Sequence, residues 1–92
     1  MKKLTLTEAA EADLDEIAVH IATRRDVMTA VRVVDDLRER IKILRTSPLM
    51  GRESKTGDTR ELILDNYVIP YRVRENVVEI LRVWHGKERW WG

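Results

Sequence analysis

The chain has 92 residues, no cysteine, and 17 Lys or Arg against 16 Asp or Glu, for a formal net charge of +1. That length holds one small domain, residues 1–92, with one core and no separate substrate domain. The missing cysteines exclude a disulfide scaffold, thiol chemistry and a Cys-ligated zinc site, and make the reducing cytoplasm the expected compartment.

A near-neutral chain is not expected to be a nonspecific nucleic-acid binder, which needs a strong basic excess. The charge is unevenly spread: residues 1–23 carry two basic and five acidic side chains, residues 24–52 eight and four, and residues 53–92 seven of each. Twelve of the 17 basic residues are Arg, the side chain suited to planar, bidentate contacts with carboxylates and phosphates. Met1-Lys2-Lys3 is followed by Thr5, Thr7, Glu8 and Glu11, where a signal peptide would need an apolar run. No stretch approaches the length of a membrane span.

In chain order, residues 2–6 alternate apolar and polar and read as a short strand, and Thr7 is placed to cap a helix. Ala10, Leu14, Ile17, Ala18 and Ile21 then form one apolar helical stripe ending near Thr23, with acidic Glu8 and Glu11 in the first turn. Arg24-Arg25 makes a tight connection and Asp26 caps a second helix. Its stripe of Ala30, Val34, Leu37, Ile41 and Leu44 should continue until Ser47-Pro48 stops it. Two helices so closely joined should pack as an antiparallel hairpin.

Residues 49–59, with Gly51 and Gly57, read as a loop. Three strand-like runs follow, at residues 60–64, 67–74 and 77–85, separated by Asp65-Asn66 and Glu75-Asn76 and expected to form an antiparallel meander. In the middle run Tyr67, Ile69, Tyr71 and Val73 share the core face. Pro70 has no N–H for a ladder and marks either a bulge or an unpaired position. In the last run strict alternation would put Ile80, Arg82 and Trp84 opposite Glu79, Leu81, Val83 and His85. The layout is β-α-α-β-β-β, an α+β fold with a helical hairpin on a small antiparallel sheet whose other side is at least partly open.

The stretches Ser47-Pro48-Leu49-Met50-Gly51-Arg52, Thr59-Arg60-Glu61-Leu62, Tyr67-Val68-Ile69-Pro70-Tyr71-Arg72-Val73 and Val78-Glu79-Ile80-Leu81-Arg82-Val83-Trp84-His85-Gly86-Lys87-Glu88-Arg89-Trp90, taken in that order, resemble the RelE/ParE superfamily of bacterial toxins. The resemblance spans essentially the whole chain. It implies the toxin of a type II toxin–antitoxin system, a small cytoplasmic protein in a hetero-oligomer with a cognate ParD-like or RelB-like antitoxin whose C-terminal segment wraps around it. RelE-like members are ribosome-dependent mRNA endoribonucleases, whereas ParE-like members poison DNA gyrase.

RNA cleavage through the 2′-OH needs a base, an acid and cations at the phosphate. RelE-like nucleases carry a basic residue after the first Tyr of the middle strand, where this chain has Val68, and a cation in the tail where it has Glu88. The resemblance therefore favours the ParE-like branch, a growth-inhibiting gyrase poison with no cofactor and no metal. Its target-binding candidates are Arg60, Arg72, Arg82, His85, Lys87, Arg89 and Trp90. A nuclease would instead rely on His85 with Arg60, Arg72 and Arg82, the three arginines lining one open sheet face or pairing across strands with Glu61 and Glu79. His20 reads as a surface histidine. Asp13, Asp15 and Glu16 read as a solvated face or as partners for Arg32, Arg38 and Arg40.

Overall fold

The computed structural model describes residues 1–86. Strand β1 (Lys3–Leu6) leads into helices α1 (Glu8–Arg24) and α2 (Val27–Ile41), and a 3₁₀ turn covers Lys42–Arg45. Strands β2 (Arg52–Glu53), β3 (Arg60–Leu64), β4 (Tyr67–Val73), β5 (Val77–Ile80) and β6 (Trp84–His85) follow. The fold is α+β, as expected. The helices lie against a sheet of order β1-β5-β4-β3-β2, with β6 pairing β4 beyond the end of β5.

Both helix starts are capped by the expected side chains. Thr7 Oγ1 accepts from the Ala10 N–H at 3.0 Å, and Asp26 accepts from the Thr29 N–H at 2.7 Å. Helix α2 stops earlier than its apolar stripe suggests: the stretch expected to run on to Ser47-Pro48 tightens into the 3₁₀ turn after Ile41. Three residues per turn align positions three apart, so Ile41 and Leu44 are both buried against the sheet. Their partners in the core are Ala10, Leu14 and Leu37 from the helices and Leu62, Ile69, Tyr71, Val78 and Ile80 from the sheet.

The meander of β3, β4 and β5 is antiparallel, and Asp65 in its first turn takes a left-handed φ of 54°. Two features depart from the sequence expectation. The stretch read as a loop contains β2, held to β3 by opposite-charge pairs: Arg52 faces Glu61, and Glu53 faces Arg60. Strand β1 adds to β5 in parallel, Lys3 beside Val77 and Leu6 beside Ile80, so the beginning of the chain closes on its last third.

The final run is broken. Tyr71 pairs with Ile80, but Val68 pairs with Trp84, so Leu81, Arg82 and Val83 stand against only Ile69 and Pro70. This is a β-bulge, and Pro70 explains its place. Pro70 accepts from the Leu81 N–H at 2.9 Å but has no N–H to return. The Leu81 carbonyl instead accepts from Thr7 Oγ1 at 2.8 Å, so the helix cap replaces the missing ladder bond. The bulge overturns the strict alternation expected for residues 77–85: the extra residue turns Val83 into the core beside Ile80.

Candidate functional site

The bulge is held from α1. Asp13 is only 7% exposed. Its carboxylate accepts from the Val83 N–H at 2.9 Å and from Arg82 Nε and Nη2 at 2.8 and 3.0 Å. A carboxylate this buried is tolerated because three donors satisfy it. The same contact raises the Arg82 pKa above its ordinary value. Helix position explains the arrangement: Asp13 directly precedes core residue Leu14 and follows Ala10 by three, on the edge of the buried stripe.

The Arg82 guanidinium carbon lies 5.6 Å from the centre of the Trp84 ring, within cation–π range. The next residue, His85, meets Tyr67 edge-to-face, with ring centres 5.4 Å apart and planes at 82°. The Gly86 N–H donates to the Asn66 carbonyl and extends the pairing past β6. Between this segment and α1 runs a groove of about 900 Å³, with Glu16, His20 and Arg24 on the helix side and Tyr67, Trp84 and His85 on the sheet side. Both histidines of the chain thus border one cleft, His20 from an exposed position on the helix surface, as expected.

The three arginines do not line one open face together, and of the cross-strand pairings expected as the alternative the structure has that of Arg72 with Glu79. Arg60 pairs with Tyr71 across the ladder and so shares the helix-facing side, whereas Arg72, next to Tyr71, lies on the outer side. Arg60 is occupied internally: Nη1 donates to the Gly51 and Leu49 carbonyls at 2.8 and 3.2 Å, and Nη2 to Glu53 at 3.3 Å. Arg72 pairs with Glu79 across strands at 3.6 Å. Arg82 belongs to Asp13. Of the expected candidates, only Arg82 and His85 border the groove; Lys87, Arg89 and Trp90 lie outside the described residues.

The acidic residues of α1 also divide differently from the expectation. Glu11 takes Arg38 of α2 at 2.6 Å, and that hydrogen bond holds its carboxyl below the usual range. Asp13 turns to the sheet instead of the second helix. Arg40 pairs with Asp65 in the β3–β4 turn at 2.6 Å and with Asp36 at 3.6 Å.

A second surface lies on the outside of the helical hairpin. Ala18, Val19 and Ala22 of α1 and Val27, Val31 and Val34 of α2 line an apolar hollow of about 320 Å³. Val19, Val27 and Val31 are 65%, 66% and 49% exposed. Among the described residues no helix is long and apolar enough to cross a membrane.

No curated protein matches the chain. Among solved structures it is similar to the chromosomal ParDE toxin–antitoxin system from P. aeruginosa, at 31% identity and a TM-score of 0.84 over 92% of this chain and 96% of that one. The conserved hypothetical protein HP0894 from Helicobacter pylori shares the fold at 20% identity and a TM-score of 0.57, covering 98% of this chain and 100% of its own. A YafQ point mutant from E. coli shares it at 9% identity and 0.58, covering 98% and 99%. The family model described as the ParE toxin of the type II toxin–antitoxin system, parDE, matches residues 4–90, a span that takes in the capped hairpin, the bulge and the groove. The chain therefore belongs to the ParE toxin family, the toxin half of a pair whose other half is a cognate antitoxin.

Proposed function

We propose that this toxin acts in the cytoplasm by binding DNA gyrase and holding it in its DNA-cleaved state, and that it breaks no bond itself. The observation that carries this reading is the dispersal of Arg60, Arg72 and Arg82. Each is engaged by its own acceptors, and the first two stand on opposite sides of the sheet. Stabilising a cleaved phosphate requires cations aimed together at one point. A working surface built from Trp84, His85 and the groove, with Lys87, Arg89 and Trp90 following in sequence, suits a large protein target.

The apolar strip on the outer hairpin face is the docking surface for the antitoxin. An amphipathic segment laid across it buries the exposed valines, of which Val19 borders both this strip and the groove.

The test uses purified toxin with gyrase, relaxed plasmid and ATP. Toxin-dependent accumulation of gyrase-linked DNA breaks, abolished by the antitoxin, is the expected result. Intact plasmid together with toxin-dependent cutting of mRNA on translating ribosomes would reject the reading in favour of a ribonuclease.

A further inference from the structure

We infer that Asp13 is a positioning residue for the toxin's working surface: from α1 it fixes the bulge and thereby sets Trp84 and His85 along the groove. The inference rests on the reading that the target meets this side of the molecule. Three observations lead to it.

First, the segment is poorly supported by the sheet alone. Strand β6 is two residues long and pairs only with Tyr67 and Val68, and the bulge removes regular ladder bonds just before it. Second, what the sheet fails to supply comes from the start of the molecule. Thr7 serves the Leu81 carbonyl, and Asp13 serves the Val83 N–H and the Nε and Nη2 of Arg82. Third, the orientation is passed on. A guanidinium gripped at Nε and Nη2 has a fixed plane, and that group lies over the Trp84 indole. One backbone bond further on is His85 against Tyr67. A surface held in its binding geometry beforehand loses less entropy when a partner docks.

Asp13 does not line the apolar strip on the outer hairpin face. Its role should therefore separate from antitoxin capture, whereas a general loss of stability would affect both. Asp13→Asn keeps the size of the side chain but loses the charge and part of the acceptor capacity. Glu11→Gln, which cuts the Glu11–Arg38 pair on the same helix away from the bulge, is the control.

The experiment measures four quantities for each variant: the melting curve, antitoxin affinity, the inducer dose that arrests growth, and the Trp84 indole N–H resonance, assigned by Trp84→Phe. For folded Asp13→Asn the expected results are an antitoxin affinity within about twofold of the parent and an arresting dose raised at least about tenfold. The indole resonance should be displaced, and Glu11→Gln should change neither dose nor resonance. Full toxicity in a folded Asp13→Asn, or an unmoved indole resonance, overturns the proposal. So does a parallel loss of antitoxin binding and toxicity.

Should Asp13→Asn fail to fold, amide exchange in the parent decides. Protection of the Val83 N–H comparable to the β4 ladder supports the clamp, and free exchange there overturns it. Growth arrest reports toxicity whatever the target, so a parent that arrests growth without affecting gyrase defeats the gyrase reading and leaves the Asp13 test standing.

Discussion

Gly51 sits where the chain leaves the helices and crosses to the sheet, and a Cβ built there would stand 2.6 Å from Tyr71 Oη and 2.8 Å from the Glu61 carbonyl oxygen. Tyr71 cannot yield easily. Its ring is fully buried, its hydroxyl donates to the Pro48 carbonyl at 2.7 Å, and it accepts from the Gly51 N–H at 2.9 Å. Burial pushes the hydroxyl pKa above its usual value, so the group remains a neutral donor and acceptor. Gly51→Ala should lower stability by about 2 kcal/mol through forced displacement, measured as a reduced urea midpoint with an unchanged slope. The core position of Tyr71 was readable from strand alternation. The partners of its hydroxyl were not, because they come from a loop twenty residues earlier whose path no periodicity describes. Asp13 was hidden for the same reason: a carboxylate on an acidic helix looks solvated until the strand that buries it is in place.

At the level of elements, the two helices announce themselves through caps and apolar stripes, while the end of the sheet does not. The run Leu81-Arg82-Val83 continues an ordinary alternation, and its break follows from Pro70 on the neighbouring strand and Thr7 at the helix start. Thr7→Ala removes both the cap on α1 and the donor to the Leu81 carbonyl, and should cost about 2 kcal/mol. Thr7→Ser, which keeps the hydroxyl, should lose much less; a calorimetric comparison of the two distinguishes the hydroxyl's role from that of the methyl.

The helix contacts also set an acid limit. Glu11, through its hydrogen bond to Arg38, and Asp26, through its bonds to Thr29, both have pKa values below their ordinary 4.5 and 3.8. A carboxylate with a lowered folded-state pKa contributes its stability above the unfolded value and loses it as the pH falls through the folded one. The hairpin should therefore weaken progressively below about pH 4.5, and Glu11→Gln should flatten that dependence in chemical unfolding measured across the acid range.

For the molecule as a whole, the order of short motifs along the chain was enough to place it among toxins of this superfamily, because those motifs mark the joints of the fold: the loop under Tyr71, the β3–β4 hairpin and the strand that bulges. Its surfaces were less legible. The groove draws on α1, β4 and β6, and the outer hairpin strip emerges only once the helices have used their inner stripes on the core. A charge at the centre of that strip, as in Val31→Asp, should weaken antitoxin binding at least about tenfold, read by titration calorimetry, while the circular dichroism spectrum of the isolated toxin stays the same.

Parallel pairing of β1 with β5 has a consequence for synthesis. Residues near the start bond Arg45 of the 3₁₀ turn but find their strand partners at Val77–Ile80 and further partners in the bulge beyond, so a growing chain can form its helical hairpin early but cannot close its sheet until those strands have left the ribosome. The groove, which needs α1 together with the strand that follows the bulge, is among the last features to exist, whereas the helical hairpin with its exposed valines can form before it.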